Sequence, residues 1–192
     1  GGEPMDALSY KHRYHDRLME AIRYRIEGLR SGRYQARDWR VRGAVGFLEK
    51  LQLKGIPLYL GSGTDQEFVL EEAKLLDVDR FFPERIFGAL DEYTKFSKEM
   101  LITQIISQLK LRGTEFMAFG DGYVEIRDTK RVGGVAIGVA SREDGGIGWD
   151  TWKRRRLISA GADILIPDFG DAFPLLGCLQ RTEPISAENL PS

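Results

Sequence analysis

The sequence predicts an α/β fold, a parallel sheet covered by helices on both faces. Three observations carry that expectation. From Gly43 onward short apolar runs alternate with amphipathic stretches; many of the 22 glycines fall where an apolar run ends; and 42% of the 192 residues are apolar, enough to fill a core. At roughly 100–200 residues per domain, the length suits one domain, or one domain with a small insertion.

The elements follow in order. In residues 1–42, Tyr14, Leu18, Ile22, Ile26 and Leu29 recur at helical steps with charges between them, and Ser31-Gly32 is a stop signal. Val45, Leu48 and Leu51 give a second helix, closed by Lys54-Gly55. Ile56–Leu60 reads as strand, Asp65–Leu76 as a helix with an acidic start, and Ile86-Phe87 as a short strand. Leu101, Ile102, Ile105, Ile106 and Leu109 mark a strongly amphipathic helix. Phe116–Phe119 is then strand, Glu125–Val132 helix, Val135–Val139 strand, Trp152–Ser159 helix, Asp163–Ile166 strand and Ala172–Leu179 helix.

Charge divides the chain unevenly. Residues 1–42 carry ten Lys/Arg against six Asp/Glu, while the remainder carries 18 against 23, which places a boundary near Gly43. The whole chain, with 28 basic and 29 acidic residues, is nearly balanced and does not suit an extended nucleic-acid grip. No apolar run approaches the ~18 residues of a membrane span. The single cysteine, Cys178, excludes an internal disulfide and a cysteine-cluster zinc site, and fits a reducing cytoplasm.

In a parallel sheet ligands sit beyond the C-terminal strand ends, so the residues there are the ones to read. After Ile56–Leu60 comes Gly61-Ser62-Gly63-Thr64-Asp65, running into a helix. Glycines allow close approach, hydroxyls donate, and a helix N-terminus offers N–H groups, a combination suited to a phosphate oxygen. A turn with Thr64 or Asp65 as helix cap explains the same residues. After Phe116–Phe119 comes Gly120-Asp121-Gly122-Tyr123-Val124-Glu125. Asp121 and Glu125 are hard oxygen donors at a strand end, fit for Mg²⁺. The competing reading makes Asp121 a turn residue and Glu125 a helix-start acid favoured by the dipole. Between these segments Lys98 opens the Leu101–Leu109 helix, where a cation opposes the dipole, and a residue held against local preference suggests a site. Lys95 could take the same part.

In chain order, strand–Ser62, Lys98 and strand–Gly120-Asp121-Gly122-x-x-Glu125 resemble the second, third and fourth motifs of the haloacid dehalogenase (HAD) superfamily. Leu75 to Phe82 resembles that family's linker before its third motif, and the resemblance covers roughly Val41 to Leu179. Trp152 to Leu157 and Gly161 to Phe169 look like a subgroup associated with sugar kinases. The resemblance implies a Rossmann-like, Mg²⁺-dependent phosphohydrolase acting on a small phosphorylated metabolite, with a sugar phosphate as one candidate, through an aspartyl-phosphate. It gives Ser62 and Lys98 catalytic parts, with Ser62, Gly63, Thr64 and Lys98 on the phosphate, and Asp121 and Glu125 on the metal. Residues 1–42 would be a partial helical cap and residues 43–192 the core domain.

One departure matters. The family's first motif, an apolar strand ending in Asp-x-Asp that supplies the nucleophile, has no counterpart here. The lone Asp-x-Asp, Asp77-Val78-Asp79, follows a helix and reads as a helix-end turn. In the family the missing strand lies between those carrying Ser62 and Asp121, so its removal would leave a gap of about 10 Å lined by unpaired backbone groups. Three outcomes are expected: a longer polypeptide supplies the strand, a second chain fills the gap, or Ile56–Leu60 closes directly beside Phe116–Phe119. A rival expectation is a catalytically inactive HAD-like binding or regulatory module of a larger sugar-metabolising protein.

Other residues invite site readings and are set aside. His12 and His15 read as a solvated helix face, Lys153-Arg154-Arg155-Arg156 as an exposed helix edge, and Cys178 as core. Asp168, after the last strand, either approaches the site or is an ordinary loop carboxylate.

Overall fold

The computed structural model describes residues 6–89 and 98–177. Helix α1 spans Ala7–Arg30, with Asp6 as its N-cap accepting from Ser9 N–H at 2.9 Å, and it stops at Ser31-Gly32 as the sequence predicts. Gly32 and Gly43 have φ of 71° and 77°, left-handed values suited to glycine. Gly43 caps α2 (Ala44–Leu53). Then follow β1 (Leu60–Asp65), α3 (Gln66–Leu75), β2 (Ile86–Ala89), α4 (Lys98–Gln108), β3 (Met117–Gly120), α5 (Tyr123–Arg131), β4 (Val135–Val139), α6 (Thr151–Ser159) and β5 (Ile164–Ile166). The α/β expectation holds, and every described ladder is parallel.

The sheet is divided. Among the described residues β1 pairs with β2 in one sheet, and β3, β4 and β5 pair in that order in another. Direct closure of β1 on β3, one of the three outcomes expected, does not occur. Two helices bridge the pieces instead. From α2, Phe47 and Leu51 enter the core over β3–β5, while Val45 and Leu48 pack against the core over β1–β2. At the same break, α4 packs on both β1 and α5.

The larger sheet is covered on both faces because its central strand alternates. Ile137 and Val139 of β4 join Phe47, Leu51, Ile166, Ala172 and Leu176 on one face. Ala136, with Ala140 just beyond the strand, meets Ile126 of α5 and Leu157 of α6 on the other. Gly138 makes room for these side chains: a Cβ would stand 2.6 Å from Leu165 Cδ2 and 3.1 Å from Leu157 Cβ, so both leucines would have to shift. Both Ile137 and Leu157 are fully buried, and burying such a side chain stabilises by about 1.5–3 kcal/mol.

The first ladder begins at Leu60 rather than at the expected Ile56, because residues 56–59 bury apolar side chains without a strand partner. The last helix is, contrary to expectation, a 3₁₀ turn over Phe173–Gly177, with Pro174 denying an N–H to any longer run; residues 178 and 179 lie outside the described residues. The Asp-x-Asp at Asp77 and Asp79 is a helix-end turn, as the sequence predicts: Asp77 takes φ 50° and pairs with Arg40 and Arg80. No described helix is long and apolar enough to cross a membrane.

Candidate functional site

The segment expected to follow the first strand is itself part of β1. Gly61 pairs with Phe87 and Asp65 with Ala89, so four residues of β1 span two of β2. Ser62, Gly63 and Thr64 therefore bulge from the ladder, which re-aims their side chains. Within the bulge Thr64 N–H donates to Ser62 Oγ at 3.1 Å. Asp65 takes the N-cap position of α3 without a side-chain cap bond, so capping is not what shapes this turn. A Cβ on Gly63 would meet nothing within 4 Å, leaving open space above the bulge.

The bulge is braced from behind. Gln66, the first residue of α3, donates from Nε2 to Ile86 O at 2.8 Å and accepts Gly88 N–H. A Cβ at Gly88 would stand 2.5 Å from Gln66 Cα and 2.7 Å from Thr64 O, so β2 passes here only as glycine.

At the end of β3, Asp121 is exposed and Gly122 caps α5. Glu125, in the first turn of α5, folds back over the glycines: Cβ atoms added at Gly122 and Gly120 would stand 2.2 Å from its Oε2 and 3.0 Å from its Cβ. The two glycines thus make the room that this carboxylate occupies. Lys98 opens α4, with its side chain outside the described part, and Lys95 lies outside the described residues. His12 and His15 fall on α1, and their side chains are likewise outside the described part, as is Cys178.

Among the described residues the cation brought to Asp121 is Lys153. Its Nζ lies 3.0 Å from Asp121 Oδ2 and also contacts Glu143 Oε1. This corrects the exposed-edge reading: the Lys153 side chain is only 11% exposed, whereas Arg154, Arg155 and Arg156 face solvent. Burial works against its charge, yet the hydrogen bonds to Glu143 and Asp121 outweigh that and hold its pKa above the ordinary lysine value. Lys153 sits in the first turn of α6, whose N-cap Asp150 accepts its N–H at 2.8 Å. It is therefore a cation against the helix dipole, the same signal that singles out Lys98, and that signal points to it as well.

Beside it the loop from β4 to α6 forms a shallow cleft of about 370 Å³ lined by Arg142, Glu143, Asp144, Trp149, Asp150 and Thr151. Arg142 and Gly146 N–H hold the Asp144 carboxyl well below its usual range. Of the two parts weighed for it Asp168 takes the loop carboxylate's: it follows β5, is buried and grips Arg42, away from any described contact with Asp121.

Residues 33–133 match the model of the haloacid dehalogenase-like hydrolase family. The chain belongs to that family. Solved HAD structures share its fold at low identity. A conserved haloacid dehalogenase-like protein of unknown function from Agrobacterium tumefaciens is 16% identical with a TM-score of 0.63, covering 91% of this chain and 71% of that one. A predicted phosphoglycolate phosphatase from Haemophilus somnus is 15% identical with a TM-score of 0.57, covering 71% and 56%. A HAD family hydrolase from Deinococcus radiodurans, with bound phosphate and sodium, is 16% identical with a TM-score of 0.59, covering 71% and 58%. The chain thus spans less than two thirds of the last two. No curated protein matches it.

Members of this family generally use Mg²⁺. The donors here suit a hard cation in type, since Asp121 and Glu125 offer carboxylate oxygens at one strand end. They form part of a set only: among the described residues no three acidic, histidine or cysteine side chains converge.

Proposed function

We propose that this chain is the greater part of a Mg²⁺-dependent HAD-type phosphohydrolase acting on a small phosphorylated metabolite, a sugar phosphate among the candidates, and that its nucleophilic aspartate arrives on a strand inserted between β1 and β3. The observation that carries this is the break in the sheet between the strand bearing Ser62 and the strand ending at Asp121. In a parallel ladder successive residues bond to opposite sides. Val135 N–H reaches Phe116 O at 2.9 Å, so Met117 and Phe119 turn their backbone groups away from β4, toward the break. Buried backbone groups need partners, and an added strand supplies them.

In this reading Ser62 binds a phosphoryl oxygen. Its Oγ already accepts from Thr64 N–H, which leaves the hydroxyl proton to donate outward. The N–H group of Gly63 in the bulge adds a donor, and Lys98 brings positive charge as negative charge develops on phosphorus. Asp121 holds the metal, with Glu125 behind it; when bound, the ion neutralises phosphoryl oxygens. Residues 1–42 serve as part of a cap over residues 43–192, and their basic excess draws an anionic substrate inward. The incoming strand belongs to a longer form of this polypeptide or to a second chain.

The test is p-nitrophenyl phosphate turnover with Mg²⁺ by this chain joined at its N-terminus to an apolar strand ending in Asp-x-Asp. Turnover abolished by Asp121→Asn, and by asparagine at the first aspartate of the added strand, is the expected result. Equal turnover by the 192-residue chain without the strand would overturn the proposal.

A further inference from the structure

Lys153 is held where local chemistry disfavours it. It lies three residues after the N-cap of α6, against the dipole, and its stem is buried. Its two partners are the opposite case, with the side chains of Asp121 and Glu143 59% and 76% exposed. The ammonium is thus the fixed member of the group and the carboxylates reach to it from solvent. Its base is anchored twice, through Lys153 N–H to Asp150 Oδ1 at 2.8 Å and Asp150 N–H to Ala140 O at 2.9 Å.

Two acids on one cation leave a net negative charge. A divalent ion approaching Asp121 meets an ammonium already on Oδ2, and two cations in contact with one carboxylate oxygen repel. A buried lysine stripped of its partner would be costly, but Glu143 remains in contact with the same Nζ and keeps it paired.

We propose that Lys153 is a tethered competitor for Asp121: its ammonium occupies the carboxylate until a divalent ion displaces it onto Glu143, so Lys153 and Glu143 together set the cation affinity of the site. This rests on the reading of Asp121 as a metal ligand. Lys153 acts through Asp121 and is a positioning residue rather than a catalytic one.

The experiment is titration of the 192-residue chain with manganese(II) alone, following loss of the free-ion electron paramagnetic resonance signal. Lys153→Met keeps the stem and removes the charge; it is expected to bind at least about fivefold more tightly. Glu143→Gln leaves the ammonium no alternative to Asp121 and is expected to bind at least about fivefold more weakly. In the double variant the effect of Glu143→Gln shrinks, because no ammonium remains to be drawn off. Arg154→Met, an equal change in net charge on the same helix, is expected to change affinity less than about twofold.

Unchanged or weaker binding by a folded Lys153→Met overturns the proposal, as does an equal gain in Arg154→Met. If Lys153→Met fails to fold, the exposed Glu143 decides alone, and unchanged affinity in Glu143→Gln overturns it. If Asp121→Asn abolishes binding while both variants match wild type, only the competition falls. If Asp121→Asn binds like wild type, the metal-ligand reading falls with it.

Discussion

Arg42 and Asp168, far apart in sequence, form a two-pronged pair: Arg42 Nε lies 2.9 Å from Asp168 Oδ2 and Nη2 2.9 Å from Oδ1. Phe169 N–H adds a bond to Arg42 O at 2.9 Å, and Gly170 N–H donates to Asp168 Oδ1 at 2.7 Å. The pair clips the chain entering α2 to the loop leaving β5. Asp168→Ala removes a buried carboxylate and takes it from both Arg42 and Gly170 N–H, and it is expected to cost about 1–3 kcal/mol in urea unfolding. Arg42→Ala is expected to be the more damaging, because it leaves a buried carboxylate without its cation, while Asp168→Ala leaves a half-exposed guanidinium that still pairs with Asp171.

Phe47 is the ring on which the divided sheet's larger core is built. It is 1% exposed, with centroids 5.4 Å from Phe119, 5.2 Å from Phe169 and 6.4 Å from Phe173. Phe47→Ala is expected to lower stability by about 3–5 kcal/mol in chemical denaturation, and Phe47→Leu by clearly less.

Gly88 links the two halves of the phosphate-binding proposal, since its lack of a Cβ lets β2 lie against Gln66 and Thr64. The neighbouring atoms are backbone and cannot swing aside. Gly88→Ala is expected to cost about 1–3 kcal/mol and to weaken inorganic phosphate binding measured by calorimetry. Gly63→Ala, which meets nothing, is expected to leave stability nearly unchanged.

Asp163 is one source of acid sensitivity. Lys130 Nζ at 2.7 Å and Ala136 N–H at 2.8 Å hold its pKa below the ordinary 3.8. With the folded pKa depressed, the unfolded chain takes up the proton first. The contribution is full above about 3.8 and is lost as pH falls from there through the folded value. Asp163→Asn is expected to flatten the stability profile in that window, read from urea midpoints between pH 5 and pH 2 or so.

Much of the fold is legible in the amino-acid sequence, and the places where it is not have physical causes. Strand β4 reads at Val135–Val139, its observed limits, because alternation of Ile137 and Val139 against Ala136 reports two packed faces. Ile56 and Leu58 mislead because apolarity reports burial, whereas a ladder needs a partner, and β2 offers one only from Ile86 onward. Ser62, Gly63 and Thr64 stand out as a local group, but the bulge that sets them out depends on β2 and leaves no mark within five residues. The pairing of Lys153 is invisible in its own helix because its partners, Asp121 and Glu143, come from two other segments. Lys98 and Lys153 carry the same helix-start signal, and motif order favours the first.

The central claim is that β1 and β3 flank a place for one more strand, and amide hydrogen exchange at Met117 and Phe119 tests it most directly. In the 192-residue chain these amides are expected to exchange fast while those paired within β4 are slow; an added strand ending in Asp-x-Asp should protect both. Strong protection of Met117 and Phe119 in the chain by itself would mean that the sheet is already closed, and would contradict the account.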